Sequence, residues 1–182
     1  HTLPRGVNWF LPHVAQALDR SKMLVLEAEV PASPAAMAPV ILKLSRLQTP
    51  RPVAERVPEG WQPTLLAALD RLKPGPMDWY DTWFIALTLS NLQSEANGFD
   101  PRVGVEAVLT ERARMQQIPI HSLETVEEQL LNFDALPEAD QQMILISTLA
   151  DLSDSKARAT EVVETWMAGE TDRLAAHVNQ QF

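Results

Sequence analysis

Cysteine is missing altogether, which removes disulfides, thiolate metal sites and cysteine nucleophiles in one step but decides no compartment. Any metal would have to be held by histidine and carboxylates. Glycine is scarce, with 6 among 182 residues, and forms no glycine-rich phosphate loop. No G-x-S-x-G elbow occurs. No uninterrupted apolar run approaches the length of a membrane-spanning helix. Basic residues are outnumbered, 15 against 24 acidic, for a formal charge of −9. No Lys/Arg cluster is dense enough to follow a phosphate backbone, so nucleic acid is not an expected partner. The chain opens on His1 and not on methionine, so the lack of a visible leader says nothing about targeting.

What is present fits a globular protein: 46% of residues are hydrophobic and 21% charged, and the length suits one domain spanning 1–182 with a sizeable core. Helical spacing dominates. Helices are predicted over about 12–20, 35–47, 61–72, 103–116 and 137–152, with one starting at 126 and two more on either side of Gly169. Thr125 and Glu128 have the T-x-x-E spacing of a capping box, in which each side chain satisfies a free N–H of the first turn. From Met77 to Leu92 apolar residues occupy almost every face, as in a helix surrounded by others, and Trp79, Tyr80, Trp83 and Phe84 read as core, not as a ligand box. Three prolines between Thr49 and Gly60, without periodicity, mark an internal linker near 49–60.

Only two stretches read as strands. Residues 23–30, MLVLEAEV, alternate so that Leu24, Leu26, Ala28 and Val30 share one side while Met23, Val25, Glu27 and Glu29 share the other. Two like charges side by side ask for a cation, a shared proton or open water. The second candidate is short, Ile118–His121. Two strands make a poor sheet without further strands or a covering helix. The expected class is therefore mainly α with a small β component (α+β): a multi-helix domain around a central apolar helix, with two short strands of an incomplete sheet. Parallel pairing through a long helical crossover would bring the carboxylates at their C-terminal ends together.

Several segments in order resemble the TraB/PrgY/GumN family, which includes the TIKI-like proteins. His1-Thr-Leu-Pro-Arg-Gly resembles the end of the family's Gly-x-x-His motif, followed by Leu11-Pro12 and LVLEAEV; RLKP at 71–74 resembles its Leu-Lys-Pro. GFDPRVGVEAVL at 98–109, IPIHSLETVEEQL at 118–130 and TWMAGETDRLAAH at 165–177 resemble its Gly-Val-Asp, Gly-Leu-Glu-Thr-x-x-Glu-Gln and Trp-x-x-Gly-Asp segments. Glu106, Ser122 and Glu170 stand where relatives often have Asp, Gly and Asp. The Gly-x-x before His1 and the family's second Gly-x-x-His segment are not in these 182 residues, so a fragment is expected.

The resemblance implies a divalent-metal hydrolase or peptidase, with manganese or cobalt as the metal. It implies His1, Glu27 and Glu124 as catalytic and metal-binding residues, with Glu29 as a neighbour of open role. It also implies weak or absent activity in this chain, whose metal site would then be empty, and a bacterial envelope or periplasmic home. Each residue has an ordinary alternative: a solvated edge-strand face for Glu27 and Glu29, a helix N-terminus for Glu124, a loose chain end for His1. His13, His121 and His177 offer no ligand spacing. A second function class is a non-catalytic helical module that holds a protein or peptide in a groove. Free strand edges would allow a homodimer.

Overall fold

The computed structural model describes residues 2–29 and 34–179. Among them are nine α-helices: α1 (Pro12–Arg20), α2 (Pro34–Ser45), α3 (Gln62–Leu72), α4 (Thr82–Ala96), α5 (Val105–Met115), α6 (Val126–Asp134), α7 (Glu138–Asp151), α8 (Ser155–Ala168) and α9 (Thr171–Asn179). Four short strands, β1 (Leu3–Pro4), β2 (Leu24–Ala28), β3 (Phe99–Asp100) and β4 (Ile120–Glu124), form two separate pairs. The fold is mainly helical with a small β part, as the periodicity predicts.

Local sequence explains the element ends. Pro12 and Pro63 open α1 and α3, where a missing N–H costs nothing. Lys73 closes α3 in a left-handed conformation, its N–H donating to the Leu69 carbonyl, and Pro74 prevents continuation. The Thr125/Glu128 capping box forms, with Thr125 Oγ1 accepting from the Glu128 N–H at 3.1 Å and Glu128 Oε2 accepting from the Thr125 N–H at 2.7 Å. Gly169 ends α8 at φ 72°, and the Gly169 and Glu170 N–H groups donate to the Trp166 and Thr165 carbonyls.

The main core lies where α3, α4 and α7 meet. Leu65, Ile85, Leu89 and Leu145 are fully enclosed there, joined by Ala86 and Leu149. Each such leucine or isoleucine contributes about 1.5–3 kcal/mol through apolar surface removed from water. A second cluster gathers Leu44 of α2, Trp83 of α4 and Leu130 of α6. Trp83 stacks against Phe133.

The predicted central helix is real, but it runs Thr82–Ala96 instead of starting at Met77. The preceding residues form a turn held against the chain after α2: the Leu47, Arg51 and Asp81 N–H groups donate to the Trp79, Asp78 and Ser45 carbonyls at 2.8–2.9 Å. That leaves Trp79 exposed under the Arg46 guanidinium, 5.3 Å from its ring, while Trp83 is enclosed and Tyr80 and Phe84 are half-buried. The proline-rich stretch near 49–60 forms two 3-10 turns, Val53–Arg56 and Glu59–Trp61, and lies against the body. Val57 joins the main core, and the buried Arg56 donates to Thr82 Oγ1 at 3.2 Å and to the Tyr80 carbonyl at 2.9 Å.

β1 and β3 pair antiparallel over two residues each, too short to show any period in sequence. β2 and β4 pair parallel, with α3 and α4 among the elements of the long crossover between them.

Candidate functional site at the carboxyl ends of the paired strands

Parallel register aligns Leu24 with Ile120, Val25 with His121, Leu26 with Ser122 and Ala28 with Glu124. Partners across a parallel pair share a face, and neighbours along a strand alternate. One face therefore carries Leu24, Leu26, Ala28, Ile120, Ser122 and Glu124. The other carries Val25, Glu27, His121 and Leu123. Leu26 and Ala28 are buried, which marks the first face as the covered one, and α5 lies against both strands. On the second face Val25 is 50% and Leu123 78% exposed, and Met23, just before β2, is 48% exposed.

The two carboxylates implied as metal ligands thus reach the same end of the ribbon from opposite faces. Glu27 is exposed, while Glu124 is half-buried on the covered side. Glu29, one residue beyond β2, is half-buried and accepts from Arg114 Nη2 at 2.5 Å. Arg114, in the last turn of α5, gives Glu29 a guanidinium partner, while Glu27 stands in open water. Sequence alone held a hint, since α5 ends in two arginines, Arg112 and Arg114. The other arginine pairs with Asp19 of α1 at 3.3 Å, and Gln116 Nε2 also donates to Asp19. The Gln116 bond, with the Arg112 guanidinium beside it, holds the Asp19 carboxyl below its ordinary value despite partial burial. Glu124 directly precedes the capping box that starts α6.

His1, the third implied ligand, lies outside the described residues. His13 and His121 are exposed. No group of three or more His, Asp or Glu side chains that could hold a metal ion occurs among the described residues. Carboxylates turned to opposite faces do not present a joint grip on one ion, so Glu27 and Glu124 as placed do not fit a shared divalent metal.

A different polar region was not singled out by motif. A cleft lies between α4, α7 and the start of α8, and is lined by hydroxyls and amides with Phe99 among the residues that close it.

The architecture defines a mainly helical α+β protein built on a parallel strand pair with acidic residues at its carboxyl end. Over residues 1–182 the chain matches the TraB/PrgY/gumN family, and it belongs to that family. No curated protein and no solved structure matches it. No helix among the described residues is long and apolar enough to cross a membrane.

Proposed function

We propose that this chain is a TraB-family protein of the metal-dependent hydrolase or peptidase kind, and that its 182 residues alone are weakly active or inactive. Family membership supports the class. The observation that carries the reading is the parallel pairing of β2 with β4, which sets Glu27 and Glu124 at the carboxyl end of the strands, where α/β sheets place their ligands. The same register supports the weakness, because the two carboxylates face apart. Within this reading Glu27, on the open face, is the carboxylate best placed to meet an ion and a peptide. Glu124 holds the adjacent strand end, His1 is the remaining ligand, and an envelope location belongs to the same proposal.

Calorimetric titration with manganese and with cobalt, alongside peptide turnover, tests it. The expected result is weak saturable metal binding that Glu27→Ala removes, with little or no turnover. Absence of binding, or binding indifferent to Glu27→Ala and Glu124→Ala alike, overturns the reading.

The exposed apolar side chains on the ribbon's open face favour a second reading, a non-catalytic module that holds a peptide or a second copy of the chain. Met23, Val25 and Leu123 present hydrocarbon to water beside two strand edges that lack a further strand among the described residues. Light scattering after size exclusion would show a dimer that Val25→Lys disperses; a strict monomer at every concentration counts against self-association.

A further inference from the structure

The cleft between α4, α7 and α8 has a volume of about 390 Å³, at the lower end of the range for small-molecule sites, roughly 300–1,000 Å³. Its α4 wall is polar: Ser90, Gln93 and Ser94 of the helix and Asn97 just past its end recur at helical spacing. The facing wall supplies Ser147 and Thr148 from α7 and Ser155 from α8.

A bonded chain of side chains runs along it. Gln93 Nε2 donates to Asn97 Oδ1 at 3.0 Å, Asn97 Nδ2 donates to Ser155 Oγ at 2.9 Å, and Ser155 Oγ donates to the Leu152 carbonyl at 3.1 Å. The chain ends on Gln93 Oε1, a buried acceptor with no partner among the described residues, in a residue only 7% exposed. An unsatisfied buried acceptor costs about 1–3 kcal/mol, and Gln93 lines the cleft, so a hydroxyl that enters there and reaches its amide would supply the missing donor.

Charge narrows the class of that donor. Among the described residues Asp151 is the only ionisable group in the lining, and it is paired with Arg158. An anion would find no cation in that lining, and a cation only a carboxylate already paired. What the walls offer is interleaved hydroxyl donors and acceptors, with Phe99, Ile144 and Leu152 as hydrocarbon between them. We propose that this cleft binds a neutral polyhydroxylated molecule of mono- to disaccharide size, whose hydroxyls pair with the serine and amide groups and whose C–H faces lie on the apolar patches.

The test is amide-resonance titration of the isotope-labelled 182-residue chain with maltose and with N-acetylglucosamine. Saturable shifts confined to residues 90–99 and 144–159 are expected with at least one sugar. The double variant Ser90→Ala with Ser147→Ala should weaken binding about fivefold or more, the loss of about one net hydrogen bond, with an unchanged melting temperature. Gln93→Met, which removes the orphan acceptor, should weaken it as well. The proposal is overturned by linear or absent shifts with both sugars, by shifts elsewhere, by unchanged affinity in both variants, or by a cleft that answers trialanine and neither sugar.

Discussion

Two aspartates show how the same side chain can pull stability in opposite directions with pH. Asp100, almost enclosed at the end of β3, accepts from Arg102 through Nε, Nη2 and the backbone N–H at 2.9–3.0 Å, and from Arg5 Nε at 3.0 Å. The Arg102 bonds, then Arg5, hold its carboxyl far below the ordinary range. A depressed folded-state value contributes stability that is present above the unfolded value, about 3.9 for aspartate, and is lost as pH falls below it. Asp100→Asn should therefore melt lower than the natural chain at pH 7, and the gap should shrink as acid melts are recorded through and below the carboxylate range. Asp81 has the opposite sign. Burial pushes its carboxyl up, and Asp134 and Glu138 add to that against Arg56. Its charged form is the disfavoured one in the folded protein, so Asp81→Asn should raise the melting temperature at pH 7 and lose that advantage below about pH 4. Asparagine keeps the preference for the N-terminal cap of α4, so helix initiation does not confound the comparison.

At the scale of elements, α6 owes its start to one reciprocal pair. Thr125→Ala removes the acceptor for the Glu128 N–H and leaves Glu128 with half of its partner. A loss of about 1 kcal/mol, within roughly 0.5–2, is expected in urea unfolding, with no change in the slope. That box was legible in the sequence because its chemistry is local, as was the proline start of α1. The strand pair was legible in part. Alternation marked residues 23–30, and the observed β2 lies inside that span, but β4 falls at Ile120–Glu124 and not Ile118–His121, because Gln117 and Ile118 are spent turning out of α5. Which face each glutamate takes depends on register, and register is fixed by contacts about 96 residues apart along the chain, as Leu24 with Ile120 shows. No reading of either strand alone could show that Glu27 and Glu124 look opposite ways. The Glu29–Arg114 pair was hidden for the same reason.

Across the whole molecule, stability concentrates where α4 crosses α7. The apolar run that marked a central helix was a sound guide to this, since Ile85, Ala86 and Leu89 are enclosed, but it masked the polar stripe at Ser90, Gln93 and Asn97 that faces the cleft. Leu145 of α7 is fully enclosed in the main core cluster, beside residues of α3 and α4. Leu145→Ala should therefore cost about 2–5 kcal/mol, from lost transfer energy plus the cavity left behind, a large share of the roughly 5–15 kcal/mol available to a domain. The outer ribbon face offers the contrast. Val25 is already half in water, so Val25→Lys should change unfolding by less than about 0.5 kcal/mol. Measured together in urea, the two variants locate the fold's support. A large loss at position 145 with near-neutrality at 25 places it in the helices and leaves the ribbon free to serve a ligand or a second chain. A large loss at 25 would mean that the ribbon's open face is packed in solution.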